Sequence, residues 1–175
     1  MKNIFIGFIL IFLDFNLNLG SSRIGLIPDF IGYIVMISGL VEMSGESPLF
    51  MKVRPYAAGM AVYTGILYFL DFVGASVSLG AFSYVLAFTS AAISLYISYN
   101  IVMGVMYVER NLNTSLNGDR LKSTWTLLAV FNILTFAMLL NPFLALITII
   151  ISFVVGICFL VAFNNSKNLY YNTIR

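Results

Sequence analysis

The 175-residue chain is 61% hydrophobic and 9% charged, with a mean hydropathy of +0.99, so a water-soluble fold of this size would leave most of its apolar side chains in water. The net charge of +2 is small and dispersed, which argues against nucleic acid as a partner. One Cys and no His leave no internal disulfide, no zinc site, no Ser-His or Cys-His nucleophile and no haem ligand pair.

The expected solvent is lipid, because apolar stretches of about the 20 residues that a spanning helix needs follow one another along nearly the whole chain. Lys2 followed by Ile4 to Leu13 has the outline of a signal peptide. No small-residue cleavage pair follows, Asn18-Leu19-Gly20 being the nearest, and equally apolar segments continue to Phe163, so the segment is expected to stay as the first helix. From Asp14 to Pro28 polar and apolar residues mix. Continued as a helix, this stretch puts Asp14, Asn18 and Ser21 or Ser22 on one face. The alternative is a backbone break near Asn18, tolerated at membrane depth only where it is buried in protein or lines a wet cavity. Ile27-Pro28-Asp29-Phe30 opens the second helix, with Pro28 at the first helical position and Asp29 as a cap near the positive end of the dipole, Arg23 being a candidate partner. That helix carries Gly32 and Gly39 and ends at Glu42, before the linker Ser44-Gly45-Glu46-Ser47-Pro48.

The third segment, Tyr56 to Leu79, spaces Thr64, Asp71 and Ser78 by sevens. The fourth begins near Phe82 and carries Ala87 with Ala91, and Ser90, Ser94 and Ser98, at spacings that let helices approach closely in lipid. Packing is the default reading of that row. The helix is expected to pass the membrane surface, with Val108, Leu112 and Leu116 in an apolar stripe, Glu109, Arg110, Asn113 and Asn117 facing water, and a stop at Asn117-Gly118. Trp125 reads as an interface anchor for the fifth helix, which contains Asn132 and Thr135 and stops at Asn141-Pro142. The sixth runs from Pro142 to Phe163 with Cys158 as a small buried hydrophobe, and the tail from Asn164 is polar, with Tyr170 and Tyr171 suited to the headgroup layer.

With six helices and the N-terminus inside, every Lys and Arg except Arg23 falls on the cytoplasmic side, a strong orientation signal. Phe69-Leu70-Asp71-Phe72 repeats Phe12-Leu13-Asp14-Phe15, and Val130-Phe131-Asn132-Ile133 is a shortened, uncharged version. The chain therefore reads as all-α: one integral membrane domain, 1–175, of six transmembrane helices arranged as three parallel-repeated hairpins at about 3–43, 56–117 and 123–163. Asp14, Asp71 and Asn132 are then expected at similar depths.

Acids within spanning helices are costly, so they usually face the interior and mark a pathway. No basic residue lies within an apolar segment to neutralise Asp14 and Asp71, so burial and mutual repulsion are expected to leave at least one protonated. Asp14, Asn18, Asp71 and Asn132 are the candidate ligand- or ion-binding residues; no catalytic or metal residue and no cofactor is assigned. An intramembrane aspartyl protease is excluded because both acids follow Leu instead of lying in Tyr-Asp and Gly-x-Gly-Asp contexts, and no phosphate-cradling glycine loop is present.

The first hairpin, Leu13 to Met43, resembles a group of small polytopic bacterial membrane proteins in which a Pro-Asp-Phe-Ile-Gly-Tyr string opens the second helix; the likeness covers about a fifth of the chain and implies no activity. Size and helix number also resemble the six-helix substrate-capture subunits of energy-coupling-factor vitamin transporters, whose Ala-x-x-x-Ala contact motif is missing from Ile4-Phe5-Ile6-Gly7-Phe8-Ile9. The expectation is a non-enzymatic protein of the bacterial cytoplasmic membrane, both termini cytoplasmic. It would bind a small solute or cation, or pass it with proton or cation linkage, through a polar site inside the bundle. The rival reading is a scaffold, immunity or regulatory protein with a membrane-protein partner, its polar residues only holding helices together.

Overall fold

The computed structural model describes residues 1–12, 16–19, 22–25, 28–73, 82–138 and 141–174, with side chains for all of these except 16–19, 22–25, Asp71, Ser83 and Pro142. Six helices and one short hairpin follow in order: α1 (Lys2–Phe12), β1 (Asn16–Leu19), β2 (Ser22–Gly25), α2 (Asp29–Glu42), α3 (Pro48–Phe72), α4 (Phe82–Asn111), α5 (Gly118–Ala137) and α6 (Pro142–Thr173). Each helix packs on its sequence neighbours and α6 returns to α1, so the six form a closed ring.

The helix starts follow from local chemistry. Ser47 Oγ accepts from the Leu49 N–H at 3.3 Å ahead of Pro48, and Asn141 Oδ1 accepts from the Phe143 and Leu144 N–H groups at 3.2 and 3.3 Å ahead of Pro142. In both, a short polar side chain takes a backbone donor that the first turn leaves open, and proline supplies a fixed φ. Pro28 lies one residue earlier than expected, as the extended N-cap (φ −65°, ψ 135°) before Asp29.

The first helix differs most from expectation. It is described to Phe12, and Asn16–Leu19 then pairs with Ser22–Gly25 as a short antiparallel hairpin, Asn16 opposite Gly25 and Asn18 opposite Arg23, in an otherwise all-helical molecule. The break near Asn18 is the alternative that is realised. Asn16-Leu17-Asn18-Leu19 alternates with period two, and this alternation outweighs the helical spacing of the same polar residues. At 1.5 Å per residue, α1 and α2 reach about 16 and 21 Å, short of the ≈30 Å hydrocarbon core.

Other boundaries also move. α3 begins at Pro48 instead of Tyr56 and carries Pro55 inside it. α4 ends at Asn111 and Asn117-Gly118 opens α5, because Asn113 (φ 49°) and Asn117 (φ 58°) take the left-handed conformation that asparagine tolerates. α6 runs on to Thr173, so the expected polar tail is helical, with Ser166 and Tyr170 buried. Cys158 is exposed on α6, not buried as expected, since the neighbouring Gly156 and Phe159 take the inward positions.

The chain ends and the α2–α3 turn lie together. The Met1 and Lys2 backbone nitrogens donate to the Tyr171 hydroxyl at 3.3 Å, and Asn3 Nδ2 donates to Glu42 Oε1. Phe50 of α3 packs on Gly104 of α4 at the same level. Here the core is densest: Ile4, Leu40, Phe50, Val53, Ile101, Leu121 and Phe163 are fully buried. Toward the other end apolar side chains point outward, Phe143 being 71%, Phe69 65% and Val62 64% exposed. Among the described residues two helical stretches are long and apolar enough to cross a membrane, Tyr84–Asn111 and Phe143–Thr173, with mean hydropathies of 1.6 and 3.0.

Candidate functional site

Asn132 is the only one of the four sequence-expected site residues whose side chain the structure describes. Asp14 lies outside the described residues. Asn18 is placed as a β1 residue, and Asp71 lies in the last turn of α3, one residue before its end at Phe72. Asn132 is five residues before the end of α5 at Ala137. Of the repeat's aligned positions, Asp71 thus falls in the final turn of α3 and Asn132 within α5.

Asn132 lines a cavity of about 220 Å3 between α1, α2, α4 and α5. Its Nδ2 donates to the Leu128 carbonyl at 2.9 Å, while Oδ1 accepts from no described group. The apolar wall comes from Phe8, Ile11, Phe12, Met36, Leu95 and Leu128. Phe8 and Phe12 are themselves held by Phe159, at centroid distances of 5.3 and 6.0 Å. A second cavity of about 180 Å3 lies behind Phe12, Leu128 and Asn132, toward Ser152 and Gly156 of α6. Asn132 stands at the partition between the two.

The remaining polar groups come in pairs. The Tyr33 hydroxyl of α2 and Ser94 Oγ of α4 share a hydrogen bond of 2.7 Å. Trp125 Nε1 donates to Ser98 Oγ at 2.9 Å, and Ser98 Oγ donates to the Leu95 carbonyl at 3.1 Å. Outside the cavity wall, Thr135 and Ser152 join α5 to α6 at 3.3 Å. The Ser94 and Ser98 hydroxyls therefore serve both packing and the cavity lining, while Ser90 faces α3. Trp125, expected as an interface anchor, turns its N–H inward to Ser98 and packs at a tilt against Tyr99, ring centroids 4.8 Å apart. Tyr33 and Trp125 were the residues missed by spacing alone: each pairs with a serine on another helix, and only the ring brings them together.

The cavity wall has no Asp, Glu, Lys or Arg among the described residues, and no three His, Cys, Asp or Glu side chains among the described residues cluster closely enough to hold a metal ion. Its chemistry is that of an uncharged, mostly aromatic and aliphatic chamber with hydroxyl and amide groups at fixed points, the usual make-up of a small-molecule pocket. A dry cavity of about 150 Å3 holds a benzene ring, so this one suits a one-ring or small two-ring solute.

Glu109, expected to face water, does structural work instead. Its carboxylate accepts from the Leu116 N–H at 3.1 Å and the Gly118 N–H at 2.9 Å, clasping the α4–α5 turn. A side chain at Gly118 would begin 2.2 Å from Glu109 Oε2, so glycine is needed for that approach.

Comparison with protein-family models, with curated proteins and with solved structures finds no match to the chain.

Proposed function

We propose that the protein is a six-span membrane protein that binds a small uncharged solute in the cavity at Asn132. Membrane placement is supported by two span-length apolar helices and by the large aromatic and aliphatic side chains pointing outward from α3 to α6, since a soluble monomer rarely exposes contiguous apolar surface of that extent. On this reading α1, the β1–β2 hairpin and α2 cross together, the non-helical part being sheltered where β2 lies against α3. The ends and the basic α2–α3 and α4–α5 segments would face the bacterial cytoplasm.

The observation that carries the solute reading is the amide of Asn132, whose Oδ1 has no described partner, on the wall of a 220 Å3 apolar chamber. Passage of the solute with proton or cation linkage would draw on Asp14 and Asp71, which are not part of the described wall. The paired hydroxyls Tyr33–Ser94 and Thr135–Ser152 favour a second reading, a scaffold in which every polar group serves packing. A thermal-shift screen of purified protein with neutral aromatic and heterocyclic solutes separates the two, because a ligand of the native state raises apparent stability. On the solute reading a hit stabilises wild type and is lost in Ala91→Leu, which fills the chamber, and in Asn132→Leu. A screen without a hit, or a hit indifferent to both changes, leaves the scaffold.

A further inference from the structure

We propose that the groove between α3 and α4 binds an anionic phospholipid, its acyl chain lying along the trough and its phosphate meeting Lys52. The groove encloses about 290 Å3 between Pro55, Tyr56, Gly59 and Tyr63 on α3 and Thr89 and Ser90 on α4. A side chain added at Gly59 would meet no atom within 4 Å, so this part of the trough is open outward.

Two of the hydroxyls along it are engaged by the backbone. Tyr63 donates to the Leu86 carbonyl at 3.0 Å and Thr89 to the Val85 carbonyl at 2.9 Å, which leaves the wall mostly carbon. Tyr56 meets Tyr96 edge-on with ring centroids 4.9 Å apart. The volume equals that of about ten water molecules, enough for a stretch of acyl chain.

What distinguishes a lipid from other occupants is the charge at the foot. Lys52 lies four residues before Tyr56 and seven before Gly59, so the three share one helix face. Arg54, two residues on, lies about 200° around the helix and so on the far face; Lys52 is exposed and has no ion-pair partner among the described residues. Basic residues between helices at the cytoplasmic surface attract anionic head groups. A second copy of this chain would bring the same positive charge to the contact, and a zwitterionic lipid would fill the trough without compensating it.

The inference rests on the membrane placement proposed above. Its test uses full-length protein in detergent, titrated with palmitoyl-oleoyl phosphatidylglycerol or the matching phosphatidylcholine and read by native mass spectrometry and melting temperature. Phosphatidylglycerol is expected to bind more tightly and to raise the melting temperature more. Lys52→Gln should weaken its binding on the order of fivefold, toward the phosphatidylcholine level, whereas Arg54→Gln on the far face should leave it unchanged. Gly59→Leu should fold normally and lose both lipids, because leucine occupies the trough without a clash. Inorganic phosphate alone should shift nothing. Equal affinity for the two lipids, or retention of both in Gly59→Leu, overturns the site. A wild-type dimer that Gly59→Leu disperses would assign the groove to a second copy and overturn it as well. Protein that stays monodisperse in buffer without detergent would instead overturn the membrane placement beneath it.

Discussion

Two glycine-to-alanine changes in helices should have opposite signs, and the difference can be worked from the backbone. At Gly39 of α2, an added Cβ would lie 2.5 Å from the Ile4 backbone nitrogen, 2.8 Å from Ile4 Cγ1 and 3.0 Å from the Asn3 carbonyl carbon. Carbon contacts settle at about 3.5 to 4.0 Å, so α1 must retreat by about 1 Å along its packed face. Overpacking of this kind costs about 1 to 3 kcal/mol, against about 1 kcal/mol gained from the better helix propensity of alanine. Gly39→Ala should therefore destabilise by up to about 2 kcal/mol. At Gly59 of α3 nothing lies within 4 Å, so only the propensity gain remains, about 1 kcal/mol in the other direction. Gly7→Ala should behave like Gly39→Ala, since its Cβ would meet the Gly32 carbonyl oxygen at 2.7 Å. Gly32→Ala should be milder, because its nearest obstacle at 2.7 Å is Cγ1 of the Ile11 side chain. Thermal unfolding in detergent followed by circular dichroism reads the result; for a chain of this size 1 kcal/mol corresponds to roughly 2 to 4 °C. Equal stabilisation by Gly39→Ala and Gly59→Ala would show that α1 and α2 do not approach backbone to backbone.

Glu109→Ala should lower the melting temperature by several degrees and speed proteolysis in the 112–117 turn, since it strands two backbone N–H groups, each bond to a charged acceptor contributing about 1.5 to 3 kcal/mol. Glu109→Gln, with one acceptor oxygen in place of two, should fall between that variant and wild type. Asp71→Asn should be neutral or slightly stabilising and leave solute-induced shifts unchanged, as an ionisable group is removed while shape is kept; loss of those shifts would bring the acid into the binding site. In a Cys158→Ala background, cysteines at the exposed positions Gly45 and Ser115 should react only from the cytoplasm and one at Ser21 only from outside. Labelling of Gly45 and Ser21 from the same side would refute the six-span topology.

Composition and apolar run length were enough to specify a helical chain and to place five of its six helices approximately, because an uninterrupted run of carbon-rich side chains bounded by turn residues marks a helix whatever its neighbours are. Asn141-Pro142 was legible for a similar reason: cap chemistry is local. The β1–β2 hairpin was legible in principle, in the alternation of Asn16 to Leu19, but helical spacing of the same polar residues competed with it and the two signals cannot be ranked without knowing what α3 offers as cover. The candidate site was least legible. Asn132 could be singled out as a polar residue in an apolar run, whereas Tyr33 and Trp125 acquire a role only by meeting Ser94 and Ser98 from other helices. Glu109 looked solvated until the turn it clasps was in place. Which faces meet, and so which polar groups find partners and which cavity remains between them, depends on side chains far apart in sequence filling the same space, and only the tertiary structure decides that.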